Sequence, residues 1–317
     1  MEEKVSREEK MSKIQQKLED GVKEIFSSGK YEEYLKAMSR FPRYSINNCI
    51  LIACQKPEAS LVCGFRKWQS DFNRTVNKGE HGIMILAPIK GKQEVDEELF
   101  DESGKAVLDE NGEQKTEKVV REYQAFRPVY VFDVSQTSGD PIPSIARELD
   151  EEVGGFERLR DVLAKVSPVP VSFETIRGGA NGYYSPKEQR IVIDENLPQL
   201  QMIKTMVHEI AHATLGHGSK EDKYDRQTKE VQAESVAYWV TQLMGLDSSE
   251  YSFGYISGWS KDREVSELKE SLEVIKQTAD SVYQKIEDKL KDLKEKEEAL
   301  PKVSEERNAY TSHHKKR

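Results

Sequence analysis

The stretch His208-Glu209-Ile210-Ala211-His212 decides the fold expected for the C-terminal half of this chain. On a helix, residues four apart share a face, so the imidazoles of His208 and His212 can bind one metal ion. Glu209 then lies beside the open position of that metal, where it can take a proton from water and pass it to a leaving amine. The pentapeptide therefore predicts a zinc centre for hydrolysis, against the plainer alternative of a helix whose histidines bind nothing.

The residues around the motif indicate a helix. Apolar side chains recur at helical spacing between Ile203 and Ala211. Asp194 or Asn196 is expected to cap the start of this helix, and Gly216 and Gly218 mark its end.

A catalytic zinc needs a third protein ligand and an open fourth position. The stretch 229–240 predicts a second helix on which Glu230 and Glu234 share a face, with Ala233 and Ala237 small enough for close packing. This pair resembles the gluzincin arrangement. The resemblance implies that Glu230 is the third ligand and that Glu234 accepts the free N–H of a ligand histidine; the reverse assignment stays open.

His217 is another candidate ligand, because it follows His212 by five residues. The longer metzincin motif does not extend to it, since Leu215 and Gly218 occupy the positions that this motif gives to glycine and histidine.

Residues 181–194, just before the motif, form two β-rich runs around a Ser-Pro turn. They predict a hairpin, and in zincins the strand before the active-site helix usually forms one wall of the cleft. A peptide substrate can pair with such an edge through main-chain hydrogen bonds. A pair of core strands is the alternative.

Composition indicates a globular protein of two domains, with 317 residues, 36% hydrophobic and 33% charged residues and a net charge of −9. The three cysteines, Cys49, Cys54 and Cys63, have no paired spacing and are expected to be reduced thiols of a cytosolic protein. The first residues lack the apolar core of a signal peptide, and no run is long enough to span a membrane. We therefore expect a soluble, cytoplasmic protein that has no membrane partner.

The N-terminal half begins with a helical segment over residues 8–40, from its apolar spacing. Strands are predicted at 83–88 and 129–134. Between them, the turn signals of an acidic stretch indicate a β-hairpin insertion over residues 91–122 on the surface.

Residues 40–90 are locally basic, with aromatic side chains between the charges. Basic groups follow a phosphate backbone and aromatic rings stack on unpaired bases, so this pattern is typical of sequence-tolerant single-strand binding. Composition alone is a weak signal, because most such aromatics are core residues.

Several motifs of this half occur in a recognisable order: Tyr44-Ser45-x-x-Asn48, Gly64-Phe65-x-x-Trp68, Lys78-Gly79-Glu80-x-Gly82-Ile83 and residues 131–137. Together they resemble the N-terminal domain of ArdC-type antirestriction proteins. The half that contains the paired histidines and glutamates resembles the metallopeptidase domain of the same proteins and of their LtrC-like zincin relatives on mobile elements. The resemblance spans roughly residues 10–260.

The resemblance implies a single-stranded-DNA-binding domain followed by a SprT-type protease, which together help an incoming conjugative element to escape host restriction. Its partners would be single-stranded DNA and an unidentified protein substrate. The predicted DNA-binding residues are Arg43, Tyr44, Asn48, Arg66, Trp68, Arg74 and Lys78.

The prediction is an α+β protein with a DNA-binding domain over residues 1–140, a zincin-like (gluzincin or SprT-like) metallopeptidase domain over 141–260, and a charged helical extension with a tail over 261–317. The linker is placed near residues 138–146, and the extension is expected to be solvated or self-associating.

In this prediction His208, His212 and Glu230 hold Zn²⁺, Glu209 activates water, and Glu234 supports a ligand histidine. The alternative is a non-catalytic DNA-binding antirestriction protein with a structural zinc, which a fourth ligand such as His217 would favour. A metal-dependent nuclease is less compatible with a His/His/Glu set.

Overall fold

The computed structural model describes residues 7–100, 104–108, 112, 114–142, 155–246, 251 and 253–299. The chain divides into two compact units, both mixed α and β. Unit 1 comprises Met1–Ile145 with Ser252–Leu272, and unit 2 comprises Ala146–Tyr251 with Glu273–Arg317. The end of the predicted linker and the predicted tail after residue 299 lie outside the described residues. Among the helices described, none has the length and apolarity needed to cross a membrane.

Nine α-helices, one short 3₁₀ helix (Val134–Gln136) and eight strands are found in the described part of the chain. The elements before residue 143 are α1 (Arg7–Ser27), α2 (Tyr31–Ser39), α3 (Ile46–Gln55), β1 (Val62–Gly64), α4 (Phe65–Phe72), β2 (Arg74–Val76), β3 (Ile83–Glu98), β4 (Thr116–Asp133) and β5 (Thr137–Gly139). Those after it are α5 (Gly155–Val166), β6 (Val171–Glu174), β7 (Gly182–Ser185), β8 (Arg190–Asp194), α6 (Gln199–Thr214), α7 (Arg226–Leu243), α8 (Ile256–Ser260) and α9 (Val265–Ala299).

Unit 1 packs its helices against a three-stranded antiparallel sheet of order β1-β4-β3, beside a two-stranded sheet of β2 and β5. The segment predicted as helical over 8–40 is two helices, separated where Gly29 adopts a positive φ of 74°. The core side chains of this unit are apolar and almost fully buried; they include Ile14, Phe26, Leu35, Ile50 and Trp68. The three cysteines are unbridged.

The outer edge of β3 is closed by two side-chain amides of α3. Asn48 donates to the carbonyl of Leu86 and accepts from its N–H, both at 2.9 Å. Gln55 makes the same pair of contacts with Met84, at 2.9 and 3.2 Å. Each amide therefore replaces the missing neighbouring strand and satisfies backbone groups that would otherwise lack partners.

Strands β3 and β4 form one long hairpin, paired continuously from Ile83 opposite Val131 to Glu98 opposite Thr116. The stretch 91–122 is therefore the outer part of this hairpin, because the two strands predicted at its base continue into it without interruption.

Unit 2 contains a three-stranded sheet of order β6-β8-β7, in which β6 runs parallel and β7 antiparallel to β8. Strand β7 is thus an edge. The predicted cap of α6 is wrong: Pro198 occupies the N-cap, without a side-chain hydrogen bond. Asp194 instead accepts from the backbone N–H and the side-chain amide of Asn196, which uses both residues in the turn before the helix.

Helix α9 is packed as far as Ile286, so the expectation of a solvated or self-associating extension is wrong for residues 265–286. Apolar side chains recur at helical spacing and are buried, at Leu268, Leu272, Ile275, Ala279, Val282 and Ile286. The charges of this helix lie between them, which explains why composition alone suggested a solvated helix.

We predict that Gln55→Ala destabilises unit 1 by about 1–3 kcal/mol, because it leaves the buried backbone groups of Met84 without partners. Gln15→Ala removes an exposed amide from α1 and is expected to change stability by no more than about 0.5 kcal/mol. Denaturant unfolding followed by circular dichroism compares the two. Equal effects of the two substitutions would contradict a role for Gln55 in closing the edge.

Candidate metal centre

Helix α6 presents His208 and His212 on one face, and helix α7 brings Glu230 against them. The Nε2 atoms of the two imidazoles lie 3.1 Å apart. The Oε2 atom of Glu230 lies 3.7 Å from each of them. These three donor atoms form a group able to hold a metal ion, all within 4.8 Å of one another.

The sequence of α7 explains why the two helices approach closely. Asp225 caps the helix by accepting from the N–H of Thr228 at 2.9 Å. Ala211 of α6 and Ala233 and Ala237 of α7 are fully buried, and their small side chains keep the helix backbones near each other.

Each of the two histidines has its Nδ1 atom occupied. The Oε2 atom of Glu234 lies 3.0 Å from Nδ1 of His208. Nδ1 of His217 lies 2.8 Å from Nδ1 of His212, and Nε2 of His217 lies 3.1 Å from Oε1 of Gln232. A neutral imidazole that donates from Nδ1 has its lone pair on Nε2, which is the atom that faces the other ligands.

The donor set fits a zinc ion. Two ligands at ~2.0–2.1 Å from a tetrahedral zinc lie roughly 3.3 Å from each other, close to the separation of the imidazole nitrogens. Two facing Nε2 lone pairs repel unless a cation lies between them, and a bound metal ion would supply that cation.

The electrostatics separate the roles of the acidic groups. Burial raises the pKa of Glu209, and the nearby imidazoles and a backbone hydrogen bond from Tyr184 oppose this rise. The nearby imidazoles of His212 and His208 favour the charged form of Glu230 and lower its pKa, so this residue stays a carboxylate. Burial acts to lower the pKa of His208, but its hydrogen bond with Glu234 and the surrounding carboxylates raise it above its ordinary value.

A cavity of about 330 Å³ adjoins His208 and Glu209. Lys204 and Tyr251 are among the lining residues that the sequence did not predict. Lys204 lies one turn before His208, and its Nζ atom is 5.5 Å from the ring of Tyr251. A lysine on a helix face that is otherwise apolar was a usable signal, whereas nothing in the local sequence marks Tyr251. The other lining residues are Asn181, Gly182, Gln201, Thr205 and Glu234.

Three of the predicted DNA-binding residues serve the fold of unit 1 instead. Trp68 is fully buried and donates to the carbonyl of Phe132 at 2.9 Å, so it cannot stack on a base. Asn48 closes the edge of β3. Arg74 donates to Oγ1 and the carbonyl of Thr137, at 2.8 and 2.7 Å, and holds β5 beside β2.

The other predicted positions differ in exposure. Arg43, Arg66 and Lys78 are exposed. Tyr44 is half-buried and donates from its hydroxyl to the carbonyl of Val62 at 3.2 Å. Only the three cations are therefore placed to meet a phosphate backbone.

Two family models match the chain. Residues 4–132 match the N-terminal domain of anti-restriction factor ArdC. Residues 123–232 match the model described as "Putative metallopeptidase family (DUF6782)". The second match includes both histidines of the centre and Glu230.

Among curated proteins, the chain is 27% identical over 299 residues to an uncharacterized protein of Bacillus anthracis, covering 84% of this chain and 49% of that protein. It is 26% identical over 221 residues to the DNA primase TraC of Escherichia coli, covering 65% of this chain and 14% of that protein. The chain thus spans about half the length of the first relative and a small part of the second.

Among solved structures, the chain is similar to the antirestriction ArdC protein from the R388 plasmid. The metal-free structure gives 20% identity and a TM-score of 0.44, covering 78% of this chain and 86% of the other. The Mn(II)-bound structure gives 15% identity and a TM-score of 0.45, covering 78% and 84%. The family models confirm the resemblance expected from the motifs: one segment of the chain matches the N-terminal domain of ArdC, and the next matches a metallopeptidase family model.

Proposed function

We propose that unit 2 is a zinc-dependent peptidase of zincin-like fold and that unit 1 binds single-stranded DNA. The observation that carries the peptidase is the convergence of His208, His212 and Glu230 at one point, with Glu209 on the same helix turn. The match to a metallopeptidase family model supports it.

A zinc ion held by these three residues would act as a Lewis acid that polarises a peptide carbonyl and lowers the pKa of water. Glu209 takes the proton from the attacking water and delivers it to the leaving amine. The backbone N–H of Tyr184 bonds to this carboxylate and orients it. Glu234 holds the ring of His208 so that Nε2 remains available as a ligand.

Strand β7 is suited to bind an extended peptide. It lies at the edge of its sheet. The backbone N–H of Asp194 donates to the carbonyl of Asn181, and this bond fixes which residues of β7 hydrogen-bond to β8 and which do not. Gly182 and Tyr184 therefore direct their peptide groups away from β8, and of these the N–H of Tyr184 is already bonded to Glu209. A substrate paired along this edge would use main-chain contacts and would be selected only weakly by sequence.

The alternative of a structural zinc requires a fourth protein ligand. His217 does not supply it, because its ring contacts Nδ1 of His212 and not the side of the ring where the three donor atoms meet. Among the described residues, the metal-ligand group contains three members. This is the ligand count of a catalytic site with an open position.

We predict that Glu230→Ala loses zinc about as completely as His208→Ala, since both remove a direct ligand. Glu234→Ala should weaken zinc affinity only ~10- to 100-fold, as expected when a partner of a ligand is lost. Elemental analysis and chelator competition on the purified variants measure both. The reverse assignment follows if zinc is retained in Glu230→Ala and absent from Glu234→Ala.

We predict that Glu209→Gln retains zinc and fold but lowers peptide hydrolysis by about 100- to 10,000-fold, because an amide cannot accept the proton of water. Glu221→Gln changes an exposed carboxylate of the same unit and should leave hydrolysis unchanged. The assay is cleavage of casein, or of the protein itself, at matched zinc content. Equal rates for wild type and Glu209→Gln would contradict the role of Glu209 as the general base.

For unit 1, we propose that single-stranded DNA binds to the aromatic side chains on one face of the β3–β4 hairpin. Tyr130 and Phe126 are half exposed and share this face with Phe132, because strand side chains alternate. Phe65 is 58% exposed, and its ring centroid lies 5.9 Å from that of Phe132. The face is therefore a row of accessible rings, which is what base stacking requires.

Cations border these rings. Lys90 lies opposite Gln124 on the same face and is exposed, and Arg66 follows Phe65 in α4. Farther along the hairpin, acidic side chains dominate β3 from Glu94 onward. We expect DNA to bind near Lys90 and Arg66 and not at the acidic end of the hairpin.

The biological role proposed is antirestriction, the protection of incoming mobile-element DNA. It rests on the match to the N-terminal domain of anti-restriction factor ArdC. By its name, the relative TraC also acts on DNA, but the chain spans too little of that protein for primase activity to be carried over.

We predict that Tyr130→Ala and Phe126→Ala each weaken binding of a single-stranded oligonucleotide by ~1–3 kcal/mol without changing its salt dependence, because they remove stacking only. Lys90→Ala should flatten the slope of log affinity against log salt by about 0.7, the value of one phosphate contact. Fluorescence anisotropy of the full chain over a salt series measures both effects.

Phe100→Ala is the matched control, since this phenylalanine is 57% exposed but follows the acidic part of β3. It should leave affinity unchanged. The proposed surface is wrong if Phe100→Ala weakens binding as much as Phe126→Ala, or if neither aromatic substitution at the base of the hairpin has an effect.

A further inference from the structure

His217 is a buried polar side chain that the proposed hydrolysis does not use. Its imidazole is 3% exposed and lies between His212 and Gln232. Both ring nitrogens are within hydrogen-bond distance of a partner. Such a residue either fills space or fixes the partners that it touches.

The loop that carries His217 is built to hold it in place. Gly216 and Gly218 have positive φ angles of 67° and 77°, which reverse the chain on both sides of the histidine. A side chain at Gly218 would come within 2.8 Å of Pro186. Asp222 accepts from the N–H of Gly218 at 2.6 Å and pairs with Lys229 of α7 at 2.9 Å. The loop is therefore fastened to the same helix that supplies the glutamates.

Hydrogen bonds join Gln232 to His217 and His217 to His212. When the amide oxygen of Gln232 faces His217, only one assignment of donors and acceptors is possible. The Oε1 atom of Gln232 accepts, so Nε2 of His217 must donate to it. Nδ1 of a neutral His217 then lacks a proton and accepts from Nδ1–H of His212. His212 is left with its lone pair on Nε2, the atom that meets His208 and Glu230.

We propose that His217 is a positioning residue that, with Gln232, fixes the tautomer and ring orientation of His212 for metal binding. The inference rests on the proposed metal centre. The two ligand histidines then differ in their supports, since His208 is held by a carboxylate and His212 by a neutral imidazole. Both rings are thereby oriented, and the two supports add a single negative charge, that of Glu234, to the charge of the ligand Glu230.

The test measures zinc affinity by competition with a chromophoric chelator, which needs no peptidase activity. His217→Leu removes the acceptor and is expected to weaken affinity ~10- to 100-fold. His217→Gln is expected to stay within about threefold of wild type, because an amide can accept from His212 at its oxygen and donate to Gln232 from its nitrogen. Val162→Ala, which removes buried atoms of α5, controls for lost stability and should leave affinity unchanged.

A double-mutant cycle tests whether Gln232 acts through His217. Gln232→Ala should weaken zinc binding in the wild type but add nothing in the His217→Leu background. Long-range ¹H–¹⁵N spectra of the metal-free protein should show the proton of His212 on Nδ1 in the wild type, with this preference lost in His217→Leu.

Failure of the positioning role and failure of the proposed metal centre give different results. A wild type that binds no zinc overturns the proposed metal centre. A wild type and His217→Leu that bind zinc equally overturn only the positioning role. Loss of zinc in His217→Gln as complete as in His208→Ala would make His217 a ligand, and a proton of His212 on Nε2 in the wild type would refute the proton arrangement.

Discussion

The structure of unit 2 depends on the contact between α6 and α7, because that contact must supply partners for two partly buried imidazoles. Each ring has two nitrogens, and a buried nitrogen without a partner is costly. On His208 and His212 the Nδ1 atoms face Glu234 and His217, and the Nε2 atoms face each other and Glu230. The small residues between the helices, the cap of α7 and the glycine-flanked loop of His217 all serve this one geometry.

The sequence predicted this contact because its signal is local. Histidines four residues apart on α6, and glutamates four apart on α7, must share a face on any helix, so their meeting required only that the two helices pack. The function of His217 was not predictable in the same way. Its position after His212 marks it as a candidate ligand, whereas its use as a support depends on a chain reversal and on Gln232, which is fifteen residues away.

The residues proposed to bind DNA were harder to predict, because polar and aromatic side chains can serve either the fold or a ligand. Trp68 and Arg74 belong to the basic, aromatic stretch and Asn48 to the family motif, yet all three satisfy groups in the fold that no local pattern reveals. The need for Asn48 arises only when β3 becomes an edge strand. Conversely, Tyr130 and Phe126 lie outside the stretch with the favourable composition, and their exposure follows from the length of the hairpin.

The same hairpin shows why the net charge of −9 does not predict whether the chain binds a polyanion. Screening limits the reach of each surface charge to about 10 Å at ordinary salt, so a polyanion responds to the local arrangement and not to the sum. Lys90 beside the exposed rings and the glutamates farther out on β3 are separated along one strand, at about 3.3 Å per residue. If the hairpin binds DNA as proposed, its length keeps the cation beside the exposed rings apart from the acidic end, and that end restricts where along the strands the DNA can lie.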